Sequence, residues 1–168
     1  MPFCRRKCLY CDFYSQTDLS LTDSYVKAVV RNIRAANITA DTVYFGGGTP
    51  SLLSGAQIYD ILSAADILAD AEISAECNPD SATLPLMRDF RAAGINRLSI
   101  GIQSFNDDEL KMMGRLHSSH QAAEAIQNAH KAGFENISAD LMLGLPYQTE
   151  ETVRDNIRKL AELNVTHI

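Results

Sequence analysis

The chain has 168 residues, enough for one domain with its own hydrophobic core, and 46% of them are hydrophobic, which argues against disorder. No apolar run is long enough to span a bilayer and no N-terminal signal pattern is present, so we expect a cytoplasmic protein without a transmembrane segment. The net charge of -6 comes without a basic face, which argues against nucleic-acid binding.

Short apolar runs alternate with helical patterns along the chain. Apolar residues spaced three and four apart predict an amphipathic helix over 22–37, and a short buried strand follows over 42–45. Ser54 is a candidate N-cap for the second helix, and Gly94 is a candidate C-cap for the third. The other predicted elements are strand 71–77, helix 82–93, strand 97–102, helix 118–132, strand 137–143, a helix opened by Thr149, and the start of a strand over 165–168.

This alternation of strands and helices predicts βαβ units and a parallel sheet, so the expected fold class is α/β. Right-handed crossovers build either an open doubly wound sheet or a barrel, and the pattern leaves both possible. No linker and no internal repeat is present, so we expect one domain over residues 1–168. Residues 1–3 resemble the end of a first strand and residues 165–168 the beginning of another, which predicts a domain incomplete at both ends.

Three of the four cysteines, Cys4, Cys8 and Cys11, lie close together near the start of the chain. A tight group of this kind indicates a metal site rather than a disulfide scaffold. A [4Fe–4S] cluster ordinarily takes four cysteines, so three thiolates would leave one iron open to a small molecule. The basic run at 5–7 would offset the negative charge of such a cluster. On spacing alone, a zinc knuckle or three unconnected thiols remain as alternatives.

A glycine run, Gly46-Gly47-Gly48, follows the predicted strand over 42–45 and leads into Thr49. Consecutive glycines allow the backbone to approach a ligand closely and to adopt positive φ, although an ordinary tight turn would also use them. The run is not a phosphate-binding P-loop, because the later Gly-Lys-Ser/Thr is missing.

Polar side chains lie in or at the ends of three successive predicted strands, at Glu76, Gln103 and Asp140. Each has a plain structural alternative, such as a solvated cap for Glu76 or an ion pair for Asp140. Together they form a stronger pattern, because active sites of β/α barrels gather at the C-terminal strand ends. Arg115 adds a cation that can bind a carboxylate in bidentate fashion. We interpret Cys77 as a small buried residue rather than a fourth cluster ligand.

Two segments resemble signatures of the radical S-adenosylmethionine (SAM) superfamily: residues 2–13, which contain the three cysteines, and residues 140–149. The cysteine loop is most similar to the branch that contains oxygen-independent coproporphyrinogen III oxidase and the HemW-type heme chaperones. The resemblance implies a partial (β/α)6 radical SAM barrel with parallel strands, with the last strand and the C-terminal domain missing.

The resemblance also implies two cofactors. A [4Fe–4S] cluster would be held by Cys4, Cys8 and Cys11, and its open iron would be chelated by the amino and carboxylate groups of SAM. The reduced cluster could then cleave SAM to a 5′-deoxyadenosyl radical. The implied SAM contacts are Tyr10, Gly47, Gly48, Thr49, Glu76, Gln103, Arg115 and Asp140.

Phe13 bears on the choice of branch, because the oxidase branch typically carries a further cysteine at this position. The resemblance therefore favours a HemW-type chaperone, which binds heme and delivers it to target proteins. The alternative is an oxygen-independent coproporphyrinogen III oxidase, an oxidoreductase that decarboxylates its substrate to protoporphyrinogen IX in porphyrin biosynthesis. A third possibility is another radical SAM enzyme on the same core. The expected partners are SAM, heme or a porphyrinogen, a reductant protein and a heme-acceptor protein.

Overall fold

The computed structural model describes residues 1–168, which form four strands and six α-helices. The strands are β1 (Thr39–Phe45), β2 (Asp66–Cys77), β3 (Arg97–Gln103) and β4 (Asn136–Leu141). The helices are α1 (Thr22–Ala36), α2 (Gly55–Leu62), α3 (Leu84–Ala93), α4 (Asp107–Met112), α5 (Ser119–Lys131) and α6 (Glu150–Glu162). The α/β class is therefore confirmed. None of these helices combines the length and the apolar character needed to cross a bilayer.

The four strands form one parallel sheet in the order β1-β2-β3-β4. This consecutive order is that of a β/α barrel, whereas a doubly wound sheet reverses its strand order at a switch point. The two terminal segments that were predicted as strand fragments each form a single parallel bridge, Phe3 with Gln16 and His167 with Ser138. The order of the strands thus selects the partial barrel from the two architectures that the sequence pattern left open.

Local sequence accounts for several helix ends. Ser54 accepts a hydrogen bond from the backbone N–H of Gln57 and completes a capping box at the start of α2. Gly94 ends α3 at φ 114°, a left-handed conformation that favours glycine. Helix α4 was not predicted, because its six residues are too few to show a helical period. Its start is capped by Asn106, whose side chain accepts hydrogen bonds from two backbone N–H groups.

The sheet separates an apolar face from a polar one. Alternate residues of each strand point to the same side, and one set joins the hydrophobic core beneath the helices, for example Ile73, Leu98, Ile100 and Ile137. The intervening positions of β2, β3 and β4 include Ser74, Glu76, Ser99, Gly101, Gln103, Ser138 and Asp140. A polar surface therefore lies on the side of the sheet that faces away from the helices.

Candidate functional site

A cavity of about 210 Å³ lies at the C-terminal ends of the strands. Parallel strands place these ends along the same edge of the sheet, and the cysteine loop lies beside them. Every site residue predicted from the sequence lines this cavity: Cys4, Cys8, Tyr10, Cys11, Gly47, Gly48, Thr49, Glu76, Gln103, Arg115 and Asp140. Asn78, Ser99 and Gly101 also line it and were not among the predicted site residues.

Backbone hydrogen bonds hold the cysteine loop against the rest of the domain. The N–H of Cys4 donates to the carbonyl of Gln16 at 3.0 Å, and the N–H of Leu9 donates to the carbonyl of Met113 at 3.1 Å. The three cysteines of the loop are free thiols and are half-buried. The loop is thus fixed at points on both sides of Cys8.

Two of the three sulfur atoms accept hydrogen bonds from other parts of the chain. Thr49 Oγ1 lies 3.5 Å from Cys4 Sγ, and a guanidinium nitrogen of Arg115 lies 3.7 Å from Cys8 Sγ. Donors of this kind stabilise negative charge on sulfur, which suits thiolates that ligate iron. Arg5, by contrast, is exposed and pairs with Asp80 at 3.4 Å, so it points to a carboxylate rather than to a sulfur.

The donor set fits a cluster better than a single metal ion. No three Cys, His, Asp or Glu side chains converge closely enough to share one ion, as a zinc knuckle would require. A cubane cluster binds each of its cysteines through a different iron and does not need the sulfur atoms to converge. Three thiols around one cavity, with donors directed at two of them, are therefore compatible with a [4Fe–4S] cluster.

Cys77 differs from the other three cysteines. It borders the same cavity, but it is 3% exposed and belongs to the hydrophobic core. Burial raises the pKa of its thiol to about 12, so the neutral thiol dominates at pH 7. A neutral thiol is a poor metal ligand, which agrees with the interpretation of Cys77 as a core residue.

The carboxylate of Glu76 is held from two sides. Tyr44 donates its hydroxyl hydrogen to Oε1 at 2.9 Å, and the backbone N–H of Gly47 donates to Oε2 at 3.2 Å. Burial and the bond to Glu76 raise the pKa of Tyr44 to about 12, so its hydroxyl stays protonated and remains a donor. A Cβ on Gly46 would lie 2.8 Å from the Tyr44 ring, so Gly46 leaves room for this ring.

The glycine run packs closely against residues 1–3, a contact that was not predicted from the sequence. A Cβ on Gly47 would lie 2.7 Å from the carbonyl oxygen of Met1, and one on Gly48 would lie 2.5 Å from that of Phe3. Thr49 continues this pairing, since its N–H donates to the Phe3 carbonyl at 2.8 Å. The close backbone approach that we had expected toward a ligand is thus made toward residues 1–3.

Gln103 and Asp140 reach the cavity by different routes. Gln103 has a positive φ of 67°, and the N–H of Ser104 donates to the carbonyl of Ile102 at 2.9 Å across it, which forms a strained γ-turn. Asp140 is exposed and accepts the hydroxyl hydrogen of Ser99, which lies 3.0 Å from one carboxylate oxygen and 3.2 Å from the other. No cation pairs with Asp140, so the ion pair considered from the sequence is not formed.

The side chain of His117 contacts the turn at Gln103 through a hydrogen bond to the carbonyl of Ile102. Its Nε2 lies 3.1 Å from the Ile102 carbonyl oxygen, while its buried Nδ1 has no hydrogen-bond partner. Burial, and then the charge of Arg115, lower the pKa of His117 to about 4. The ring is therefore neutral at pH 7, with the hydrogen on Nε2, since the carbonyl only accepts.

Arg115 is surrounded by hydrogen-bond acceptors of the chain itself. One nitrogen of its guanidinium donates to Asn78 Oδ1 at 2.9 Å and to the carbonyl of Gly101 at 2.6 Å. The other terminal nitrogen lies 3.4 Å from the hydroxyl of Tyr10, whose pKa is raised by partial burial. Nε is buried without a partner. The carboxylate that we expected Arg115 to bind is not supplied by any acidic residue of this chain.

Comparison with known proteins places the chain in a family. The model of the radical SAM superfamily matches residues 1–160. The heme chaperone HemW of Escherichia coli is 37% identical over 179 residues, which cover 100% of this chain and 47% of that protein. HemW of Lactococcus lactis is 35% identical, and the match covers 100% of this chain and 46% of that protein. The chain spans about half the length of the curated relatives it matches.

A solved structure supports the same relationship. Coproporphyrinogen III oxidase (HemN) from Escherichia coli, described as a radical SAM enzyme, superposes with a TM-score of 0.85 at 28% identity, over 98% of this chain and 41% of that one. This similarity confirms the partial barrel with parallel strands. The match to residues 1–160, the barrel order of the strands and the three cysteines at the strand ends lead to one conclusion: the chain belongs to the radical SAM superfamily.

Proposed function

We propose that this chain is the cluster- and SAM-binding part of a HemW-type heme chaperone. The observation that carries the proposal is the cavity at the strand ends, because all eleven residues selected from the sequence line it. The full coverage of the chain by HemW relatives at 35–37% identity supports this branch. Its proposed partners are SAM and heme, together with a reductant protein and a heme-acceptor protein.

Each group of residues has a separate task in this proposal. Cys4, Cys8 and Cys11 would ligate three irons of a [4Fe–4S] cluster and leave the fourth iron open. The cluster, once bound and reduced, would supply the electron that cleaves SAM. Gly47, Gly48 and Thr49, which line the cavity, would lie against the methionine part of SAM, as the resemblance to the family implies. Glu76 would accept hydrogen bonds from the ribose hydroxyls, since Tyr44 and Gly47 already fix its carboxylate.

Apolar side chains on the cysteine loop support the assignment to a heme-binding protein. Leu9 is 82% exposed, Phe13 is 71% exposed and Tyr14 is 79% exposed. All three side chains belong to one short segment beside the cavity, and the faces of a porphyrin are apolar. Phe13 also lines the cavity at the position where the oxidase branch typically has a cysteine.

The first experiment tests the cluster and SAM. The protein would be reconstituted anaerobically with iron and sulfide, and the electron paramagnetic resonance spectrum of the reduced sample would be recorded with and without SAM. We expect one cluster signal that changes when SAM is added. Cys8→Ala should abolish the signal, whereas Cys77→Ala should retain it. Bound zinc, or a cluster spectrum that ignores SAM and disappears in Cys77→Ala, would contradict the proposal.

The second experiment separates the chaperone from the alternative, coproporphyrinogen III oxidase, which the superposition with HemN keeps open. The reconstituted protein would be titrated with heme and followed by absorption spectroscopy, and incubated separately with coproporphyrinogen III, SAM and a reductant. A chaperone should bind heme and leave coproporphyrinogen III unchanged. Formation of protoporphyrinogen IX with release of carbon dioxide would instead identify the oxidase.

A further inference from the structure

The side chain of Asn78 lies between two residues that each contact a cysteine sulfur. Its Oδ1 accepts a hydrogen bond from Arg115 at 2.9 Å, and its Nδ2 donates one to Thr49 Oγ1 at 3.0 Å. Each of these two partners also donates to a cysteine: Thr49 Oγ1 lies 3.5 Å from Cys4 Sγ, and a guanidinium nitrogen of Arg115 lies 3.7 Å from Cys8 Sγ. One amide group thus connects the donors of two of the three cysteines that would hold the cluster.

The chemistry of the donor and acceptor groups fixes the direction of each hydrogen bond that links Asn78 to Thr49 and to Arg115. A guanidinium only donates, so the amide oxygen of Asn78 must face Arg115 and the amide nitrogen must face Thr49. Because the Thr49 hydroxyl receives an N–H, its own hydrogen remains available for the sulfur of Cys4. Thr49 is 3% exposed, so bulk water does not compete for this hydroxyl.

Two buried serines hold the backbone on which Asn78 is mounted. The N–H of Asn78 donates to Ser51 Oγ at 3.2 Å, and its carbonyl accepts the hydroxyl of Ser81 at 2.9 Å. The two serine hydroxyls lie 2.6 Å apart and are buried. The position of the amide is therefore set before any cofactor binds, as expected for groups that orient metal ligands through hydrogen bonds.

We propose that Asn78 is a positioning residue that directs the Thr49 and Arg115 hydrogen bonds onto Cys4 and Cys8 and thereby raises the reduction potential of the cluster. This inference rests on the proposed function, because it requires the cluster to bind there. Reduction adds a negative charge to the cluster, and hydrogen bonds to its sulfur ligands stabilise that charge. Loss of these hydrogen bonds to the cysteine sulfurs therefore favours the oxidised state of the cluster.

The substitution Asn78→Asp tests this role with almost no change of shape. The new carboxylate only accepts hydrogen bonds, so the Thr49 hydroxyl would turn its hydrogen toward the carboxylate and away from Cys4. The added negative charge would also pair with Arg115 and weaken the cation near Cys8. Both changes destabilise the reduced cluster, so the midpoint potential should fall.

Asn128→Asp is the matched control. Asn128 is also half-buried, and its Nδ2 makes one hydrogen bond, to the carbonyl of Ala82 at 3.2 Å. It does not line the cavity at the strand ends. The control therefore adds the same charge to the protein and leaves the cysteine donors in place.

The measurement is a redox titration of the reconstituted protein, monitored by electron paramagnetic resonance. We expect Asn78→Asp to lower the equilibrium constant for reduction at least threefold relative to Asn128→Asp, which is about 28 mV at 59 mV per tenfold. Asn78→Ala, which adds no charge, should lower it by less than Asn78→Asp, and it replaces Asn78→Asp if that variant takes up no iron.

Equal potentials in the Asn78 variants, the wild type and the control would overturn the inference. If the wild type still shows a cluster that responds to SAM, the proposed function stands and only the role of Asn78 is wrong. A wild-type protein that loads no cluster under conditions of full reconstitution would overturn both.

Discussion

Lowering the pH from 7 to 5 should destabilise the cluster-free chain through His117. The side chain is 4% exposed, and its Nε2 donates to the Ile102 carbonyl that closes the turn at Gln103. Burial and the nearby Arg115 lower its pKa from an ordinary value of 6.5 to about 4. Below pH 6.5 the unfolded chain therefore binds a proton that the folded chain does not, and protonation favours unfolding.

The size of the effect follows from the two pKa values. The free energy of unfolding that depends on neutral His117 is fully present above pH 6.5 and is lost progressively as the pH falls toward 4. Between pH 7 and pH 5, linkage between protonation and folding gives a loss of about 2 kcal/mol in the free energy of unfolding. A loss of this size is a large fraction of the stability of a small domain.

The assay is urea denaturation followed by circular dichroism at pH 7 and at pH 5. His117→Gln retains an N–H donor for the Ile102 carbonyl but does not titrate, so it should lose about 2 kcal/mol less than the wild type over this range. His120→Gln, at an exposed histidine, should lose as much as the wild type. If His117→Gln and the wild type lost equal stability, His117 would not be held neutral by its surroundings, and the reasoning would be refuted.

Two substitutions should change SAM binding while the fold is kept. In Gly101→Ala the new Cβ would lie 2.9 Å from Nε2 of Gln103 and 3.3 Å from a guanidinium nitrogen of Arg115, both at the ends of flexible side chains, so the cavity changes rather than the sheet. We expect SAM affinity to fall roughly tenfold by calorimetry at nearly unchanged unfolding free energy, and an unchanged affinity would contradict this. Tyr44→Phe removes the hydroxyl that orients Glu76, so affinity should fall about threefold, whereas Tyr59→Phe on the surface of α2 should match the wild type.

Much of the fold was accessible from local patterns. Helical periodicity located α1, and the capping residues Ser54 and Gly94 fixed the ends of α2 and α3. Helix α4 was missed because it is held by a cap and by tertiary contacts rather than by a long apolar period. The predicted bounds of β2 were too short, because its short apolar run at 67–69 lies between Asp66 and Asp70 and is defined as strand by its pairing with the start of β1.

Some residues of the candidate site could be predicted from the sequence, and others could not. The rule that polar residues at the ends of parallel strands meet at one edge brought Glu76, Gln103 and Asp140 to the cavity, and the spacing of the cysteines predicted the loop beside them. The cofactor roles of these residues remain predictions. Tyr44 and Asn78 were not recognised as site residues, because nothing in their local sequence distinguishes them from ordinary strand and turn residues.

The sequence by itself determined the family, the alternation of strands and helices, and the residue types at the strand ends, since all of these are properties of short segments. The tertiary structure decided which of these residues touch. Tyr44 meets Glu76 and Asn78 meets Arg115 across more than thirty residues of chain, and Arg115 reaches Cys8 across more than one hundred. Hydrogen bonds of this kind depend on the order and register of the strands, which place distant segments side by side and leave no trace in local composition.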